Sequence, residues 1–332
     1  MFDFIPYNDN QRKQYINAEH TYRRFLERYQ HYHVHYKYSM FWEREMLVKK
    51  RSRNNKKEYI GKRTQQRERI YEQFLRGKQE SRERLRLAEE ALKVQEKFNR
   101  FYRLNRTPKA LIKIFQKLNK LNMDDKIIVI GTNSLYAYEA YCAVFVEEQH
   151  LATFDIDLLS RKERKISFLF KEALPNMKAT QLLKEIDKSF EEHPHVPYRF
   201  ENKEGVIVEI INPFKKTDKE EGFMDIIALE MEGMQWLESS RLFKSLIVGE
   251  NGQVAYLKTI DPLDFAIYKL WLSAKSDREP IKRERDLKQA QLVTTLITEY
   301  MLDRDINSEL TRIKHFSRGL IDSYKKFVAS LG

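Results

Sequence analysis

Ile127-Ile128-Val129-Ile130-Gly131-Thr132, running on into Asn133-Ser134-Leu135-Tyr136-Ala137-Tyr138-Glu139-Ala140, is the stretch that decides the fold. Four apolar residues predict a strand, and the residues after Thr132 predict a helix. A glycine between the two lets the backbone come close to a phosphate, and the helix behind it offers free N–H groups and a positive dipole end. Downstream stands Asp155-Ile156-Asp157. The period of two puts both carboxylates on one face of a strand, with Ile156 and Leu158 facing the other way. An isolated Asp-x-Asp is more often a solvated edge or a loop boundary. Beside a strand–Gly-Thr–helix element it gains a purpose, because paired carboxylates can share magnesium ions that in turn bind a triphosphate.

A two-metal site needs a further ligand from another strand. Gly205-Val206-Ile207-Val208-Glu209-Ile210-Ile211 supplies a candidate, since Glu209 is the single charge in an apolar run that reads as a buried strand. A carboxylate there is costly unless it is paired or metal-bound. The alternative is an edge strand with Glu209 turned to water.

Gly-Thr after a strand, then Asp-Ile-Asp-Leu, then a lone acid on a later strand, resembles the DNA polymerase beta-like nucleotidyltransferase superfamily. Threonine stands here for the commoner serine, Glu209 stands where aspartate is usual, and 22 residues separate Thr132 from Asp155. Over roughly residues 40–310 the chain is also similar to a group of bacterial nucleotidyltransferase-like proteins. Gly131 to Ala140, Ala152 to Leu159, Asp261 to Lys269, and Asp277-Arg278 with Lys282 to Ala290 carry that likeness. The order lysine, arginine, then a basic stretch ending in Asp-Leu resembles the AbiEii-type nucleotidyltransferase toxins. The resemblance implies an α/β (α+β) core with a mixed sheet, flanked by helical N- and C-terminal regions. It implies transfer of a nucleoside monophosphate from a nucleoside triphosphate to an acceptor hydroxyl. Asp155, Asp157 and Glu209 would hold Mg2+, with Mn2+ as a substitute, and Gly131, Thr132 and Asn133 would cradle the phosphates. The toxin likeness adds a growth-control or defence role and an antitoxin partner as expectations.

Physical chemistry gives the C-terminal residues matching tasks. Lys269 is a point charge on an otherwise apolar helix, suited to a triphosphate or, equally, to snorkelling. Arg278 could grip phosphate in a fork or cap a helix end. Asp286, near Arg285 and Lys282, reads as a surface ion pair, or by the toxin pattern as the group that orients the lysine or the nucleotide. These three complete the expected nucleotide site.

The chain has 332 residues, 42% of them apolar, with 20 Phe and 18 Tyr, enough for a substantial core. Cys142 is its single cysteine, which excludes intramolecular disulfides and suits a reducing compartment. There is no signal-like N-terminus and no apolar stretch near membrane-spanning length, so a cytoplasmic location is expected.

The net charge of +12 is unevenly placed: residues 1–120 carry +17 and the remainder −5. A basic first part beside a mildly acidic second part predicts a polyanionic partner, with nucleic acid first and an acidic protein second. Asp9 or Asn10 could cap a helix bearing Tyr15, Ala18, Tyr22, Phe25, Tyr29 and Tyr36. His31-Tyr32-His33-Val34-His35-Tyr36 alternates and could instead be a strand, with a metal site or a stacking surface as the functional reading. Phe41 to Val48, a basic turn, and Glu58 to Gly61 predict a hairpin. Its tip holds Lys49, Lys50, Arg51, Arg53, Lys56 and Lys57 and suits phosphate contact, or is a solvated loop. Thr64 to Leu104 predicts a long helix with Ile70, Phe74, Leu85, Ala88, Leu92, Phe98 and Phe101 on one stripe, bent or packed antiparallel, and stopped by Pro108.

The expected organisation is a basic region over 1–121, a catalytic core over 122–260, and a C-terminal helical region over 261–332 that completes the nucleotide site. RNA, such as the 3′ end of transfer RNA, is the expected acceptor. A catalytically inactive nucleic-acid-binding module and an enzyme that nucleotidylates a small molecule or protein are the other readings.

Overall fold

The computed structural model describes residues 2–51, 56–151, 153, 155–161, 179–211, 237–314 and 318–331. Among these the chain forms twelve strands: β1 (Ile5–Pro6), β2 (Tyr38–Glu43), β3 (Met46–Arg51), β4 (Lys57–Lys62), β5 (Ile127–Ile130), β6 (Val144–Phe145), β7 (Asp155–Ser160), β8 (Glu191–His193), β9 (Val196–Glu201), β10 (Ile207–Ile211), β11 (Leu242–Val248) and β12 (Val254–Ile260). Two compact units result. One comprises Lys13–Asn105 with Asn251–Val254, and the other the chain up to Arg12, Arg106–Glu250 and everything from Ala255.

The larger unit is built on a seven-stranded sheet in the order β11-β12-β5-β7-β10-β9-β8. It is mixed: β12 and β5 run parallel, β5 and β7 antiparallel, β7 and β10 parallel, and β10 and β9 antiparallel. All four residues of β5 are buried, as the unbroken apolar run requires. The Lys109–Leu121 helix turns Leu111, Ile112, Ile114, Phe115 and Leu118 into the core beside the sheet. Its buried Asn119 both donates to Tyr256 O (3.0 Å) and accepts from Tyr256 N (2.9 Å), so a side chain completes a strand's backbone pairing. The Pro262–Ser273, Pro280–Tyr300, Ile306–Lys314 and Arg318–Leu331 helices close the chain. The mixed α/β class with helices at both ends is therefore what the chain adopts.

The smaller unit pairs two long helices. Asp9–His35 starts not on a cap at Asp9 or Asn10 but on Asn8, which exchanges reciprocal bonds with Gln11 (3.0 and 2.9 Å). The histidine-rich stretch belongs to this helix up to His35, so the strand alternative fails; Tyr29 stacks on His33 one turn away. The second helix runs Gln65–Phe101, capped by Thr64, and packs antiparallel to the first through Gln14–Asn99 (2.8 Å) and His31–Ser81 (3.1 Å). Phe74, Leu85 and Ala88 are buried on the expected stripe, whereas Ile70, Phe98 and Phe101 are exposed. This helix ends before Pro108, at Phe101, where Arg103 takes a left-handed φ of 56°.

The expected hairpin is a three-stranded meander, β2-β3-β4. Arg44, at φ 54°, breaks the run Phe41–Val48 into two strands. Lys49, Lys50 and Arg51 consequently sit within β3 rather than at a tip, Lys56 precedes β4 and Lys57 opens it. Arg53 lies outside the described residues. No described helix is long and apolar enough to cross a membrane. Cys142 is buried, and burial pushes its thiol up to about 12, which leaves it unreactive at neutral pH.

Candidate active site

The strand register lines up four residues across the sheet. Ile130 on β5 stands beside Asp157 on β7, Asp157 beside Glu209 on β10, and Glu209 beside Arg199 on β9. Residues paired in register share a sheet face, so the side chains of Asp157, Glu209 and Arg199 project together. Asp155 lies on the same face two residues earlier in β7 and is exposed at the strand's start.

Glu209 is on an interior strand with 14% of its side chain exposed, so the water-facing edge reading does not hold. Its Oε1 accepts from both Nε (2.8 Å) and Nη2 (2.5 Å) of Arg199. This guanidinium resolves the cost of a carboxylate in an apolar strand, and the carboxylate in turn raises the arginine's already high pKa. Among the described residues Asp157 has no such partner. Burial first, and then the charge of Glu209, push its carboxyl up to about 6, with Asp155 adding to the rise and Lys269 and Arg285 opposing it.

Gly131 follows β5 at φ 69°, and a Cβ there would stand 2.6 Å from Asp157 Oδ2. Residues Gly131–Ser134 form a short 3-10 turn before the Leu135–Cys142 helix. The turn's three side chains are buried and committed to neighbours. Thr132 Oγ1 accepts from Gln289 Nε2 (3.1 Å), Asn133 Nδ2 donates to Asp155 O (2.7 Å), and Ser134 Oγ accepts from Thr259 Oγ1 (2.7 Å). The turn is thereby fixed to β7, to β12 and to the Pro280–Tyr300 helix.

That last helix carries Asp286 and Gln289, three residues apart and hence on one face. Asp286 is fully buried; its Oδ1 accepts from Lys269 Nζ (2.7 Å) and its Oδ2 from Arg278 Nε. Lys269 is 5% exposed, which replaces the snorkelling reading with a buried ion pair, and Arg278 grips Asp286 instead of capping a helix. Burial lowers the Lys269 pKa, against the pull of Asp286. The charge of Lys269 also reaches Asp157, so this cluster and the sheet row share one electrostatic neighbourhood.

The hard carboxylate oxygens of Asp155, Asp157 and Glu209 suit a divalent cation, and the raised Asp157 marks a place where positive charge is short. The three do not gather as one metal-holding group; among the described residues no three His, Cys, Asp or Glu side chains do. Glu209 is instead held by Arg199, and Asp155 is exposed at the start of β7. Sequence reasoning missed Arg199 and Gln289. The first is recognisable only once β9 is paired with β10, and the second could have been found as the residue one helical turn beyond Asp286.

No curated protein and no solved structure matches the chain. A family model described as "Nucleotidyltransferase" matches residues 109–313, a span that opens with the helix before β5 and contains the sheet row, the Gly131 turn and the Lys269–Asp286 cluster. With well over half of its length matched, the chain belongs to this nucleotidyltransferase family.

Proposed function

We propose that the chain moves a nucleoside monophosphate from a nucleoside triphosphate to an acceptor hydroxyl, releasing pyrophosphate. The observation that supports this best is the Asp157–Glu209–Arg199 row set against the Gly131 turn. The acceptor oxygen bonds to the α-phosphorus while the bond from that phosphorus to the pyrophosphate oxygen breaks. Asp155, Asp157 and Glu209 would hold Mg2+ or Mn2+, Glu209 in competition with Arg199. When bound, the cation neutralises the triphosphate and the charge that builds up on the leaving pyrophosphate.

The chain's own residues supply the rest. The backbone of Gly131, Thr132 and Asn133 faces the phosphates, because the turn's side chains are occupied elsewhere. Lys269 and Arg278 add positive charge on the side of Asp286, which keeps both in fixed positions. Arg199 keeps Glu209 oriented, ready to accept the proton of the incoming hydroxyl.

RNA is the favoured acceptor, supported by the charge of +17 over residues 1–120. Lys49, Lys50, Arg51, Arg53, Lys56 and Lys57 are the candidate phosphate contacts. A growth-arrest role held in check by an antitoxin is the setting that the toxin-like C-terminal pattern supports. The second reading, an inactive nucleic-acid-binding module, is favoured by the Arg199–Glu209 pairing alone.

Incubation of the purified chain with each labelled triphosphate and total RNA tests these readings. The expected outcome is label in RNA, lost in Asp155→Ala, and RNA binding that falls steeply with salt. Neutralising the six basic residues should weaken RNA binding across all sequences and leave triphosphate binding unchanged. RNA that binds without ever acquiring label points to the inactive module. Label in protein or small molecules instead of RNA overturns the choice of acceptor.

A further inference from the structure

The Gln65–Phe101 helix uses one face for the helix it packs against, through Ser81, Leu85, Ala88 and Asn99. A second apolar stripe lies about a third of a turn away: Leu87 (52% exposed), Ala91, Val94 (48%), Phe98 (46%) and Phe101 (76%). Their spacing of four, three, four and three is a heptad seam, d-a-d-a-d, over about 21 Å of helix. Scattered exposed apolar residues need no explanation, but five in heptad register on an already folded helix make a surface shaped for another helix.

We propose that this stripe is the antiparallel interface between two copies of the chain. Charge and volume select that occupant. In antiparallel register Leu87 meets the partner's Phe98 and Ala91 meets the partner's Val94, so each of these layers pairs a larger with a smaller side chain, while Phe101 falls beyond them, level with the partner's Arg84. The two-fold axis repeats both layers. The same register sets Glu90 against the partner's Lys97, and Lys97 against the partner's Glu90, at the flanking positions that decide orientation in coiled coils. Parallel pairing would oppose Ala91 to itself and leave Glu90 and Lys97 without matching charges. The helix is therefore self-complementary in one orientation. Two helical hairpins joined this way form a four-helix assembly, for which each hairpin is already ordered. The inference is independent of the proposed reaction, since none of these residues belongs to the candidate site.

Sedimentation velocity of the full chain, run over a concentration series, tests it. The expected result is a monomer–dimer equilibrium at tens of micromolar or below. Glu90 already pairs with Arg86 on its own helix; Glu90→Lys breaks that pair, replaces two attractive pairs across the interface by two repulsive ones, and should weaken dimerisation about tenfold. Adding Lys97→Glu reverses both charges and should restore it. Val94→Glu should abolish it, with circular dichroism showing the helix content retained. A chain that stays monomeric throughout overturns the proposal. So does self-association indifferent to Glu90→Lys, or a doubly reversed variant that fails to recover.

Discussion

A Cβ built on Gly131 would stand 2.6 Å from Oδ2 of Asp157. The glycine that follows β5 and the aspartate at the centre of the carboxylate row therefore share one small volume. The main chain of the turn can lie against the carboxylate because there is no side chain between them. A phosphate bound at the turn and a cation bound at Asp157 would consequently be neighbours.

Gly131→Ala tests that intimacy. The left-handed φ of 69° costs an alanine about 1–2 kcal/mol, seen as a lower Tm. The Asp157 carboxylate would also have to swing aside, so transfer activity should fall by much more than the stability loss alone explains. An alanine variant that is destabilised yet fully active would separate the turn from the carboxylate.

Asp157 gives the pH dependence. Its folded-state carboxyl lies near 6, above the ordinary 3.8, so between about pH 4 and pH 6 the folded chain keeps a proton that the unfolded chain releases. Stability without metal should then fall as pH rises through that window, and the deficit should be complete above it. Asp157→Asn should flatten this slope and raise metal-free stability at pH 7 by about 1–3 kcal/mol. Added Mg2+ should stabilise the parent chain and not the variant. Equal metal stabilisation of the two, followed by thermal unfolding, would remove Asp157 from the cation site.

The sheet row illustrates what a sequence conveys and what it withholds. The apolar runs of β5 and β10, the alternation of β7 and the glycine between strand and turn are local patterns, and each was legible. That β10 lies parallel to β7 with Glu209 beside Asp157 depends on pairing between distant segments, which no local period encodes. Arg199 is hidden for the same reason: nothing in Tyr198-Arg199-Phe200 announces that its strand will set it opposite Glu209. The Lys269–Asp286 pair was visible as two separate charges, but its complete burial follows from helix packing. At the other end of the chain, the alternation in His31–Tyr36 suited either a strand or a helix, and continuity with the preceding helix decided it.

Arg199 competes with a cation for Glu209. Arg199→Gln should therefore bind Mn2+ more tightly, by about three- to tenfold in a titration followed by electron paramagnetic resonance, because a neighbouring positive charge is gone. The same change should lower transfer activity, since Glu209 loses the group that orients it. Unchanged Mn2+ affinity would mean that Glu209 stands apart from the cation site.

Asp286 holds two cations in a dry setting. Asp286→Ala leaves the buried Lys269 without its partner and should cost about 3–5 kcal/mol in chemical denaturation. Pairing it with Lys269→Met should recover most of that loss while leaving triphosphate binding impaired. Full recovery of both stability and triphosphate binding would make the cluster purely structural.

The fate of the phosphates tests the central claim most directly. Parallel reactions with triphosphate labelled at the α- or the γ-position, in the presence of Mg2+ and RNA, separate nucleotidyl transfer from every alternative. The account predicts that α-label enters the acceptor, that γ-label leaves as pyrophosphate in equal amount, and that both signals vanish in Asp157→Asn. Entry of γ-label into the acceptor, or an Asp157→Asn variant that transfers α-label at the parent rate, would contradict it.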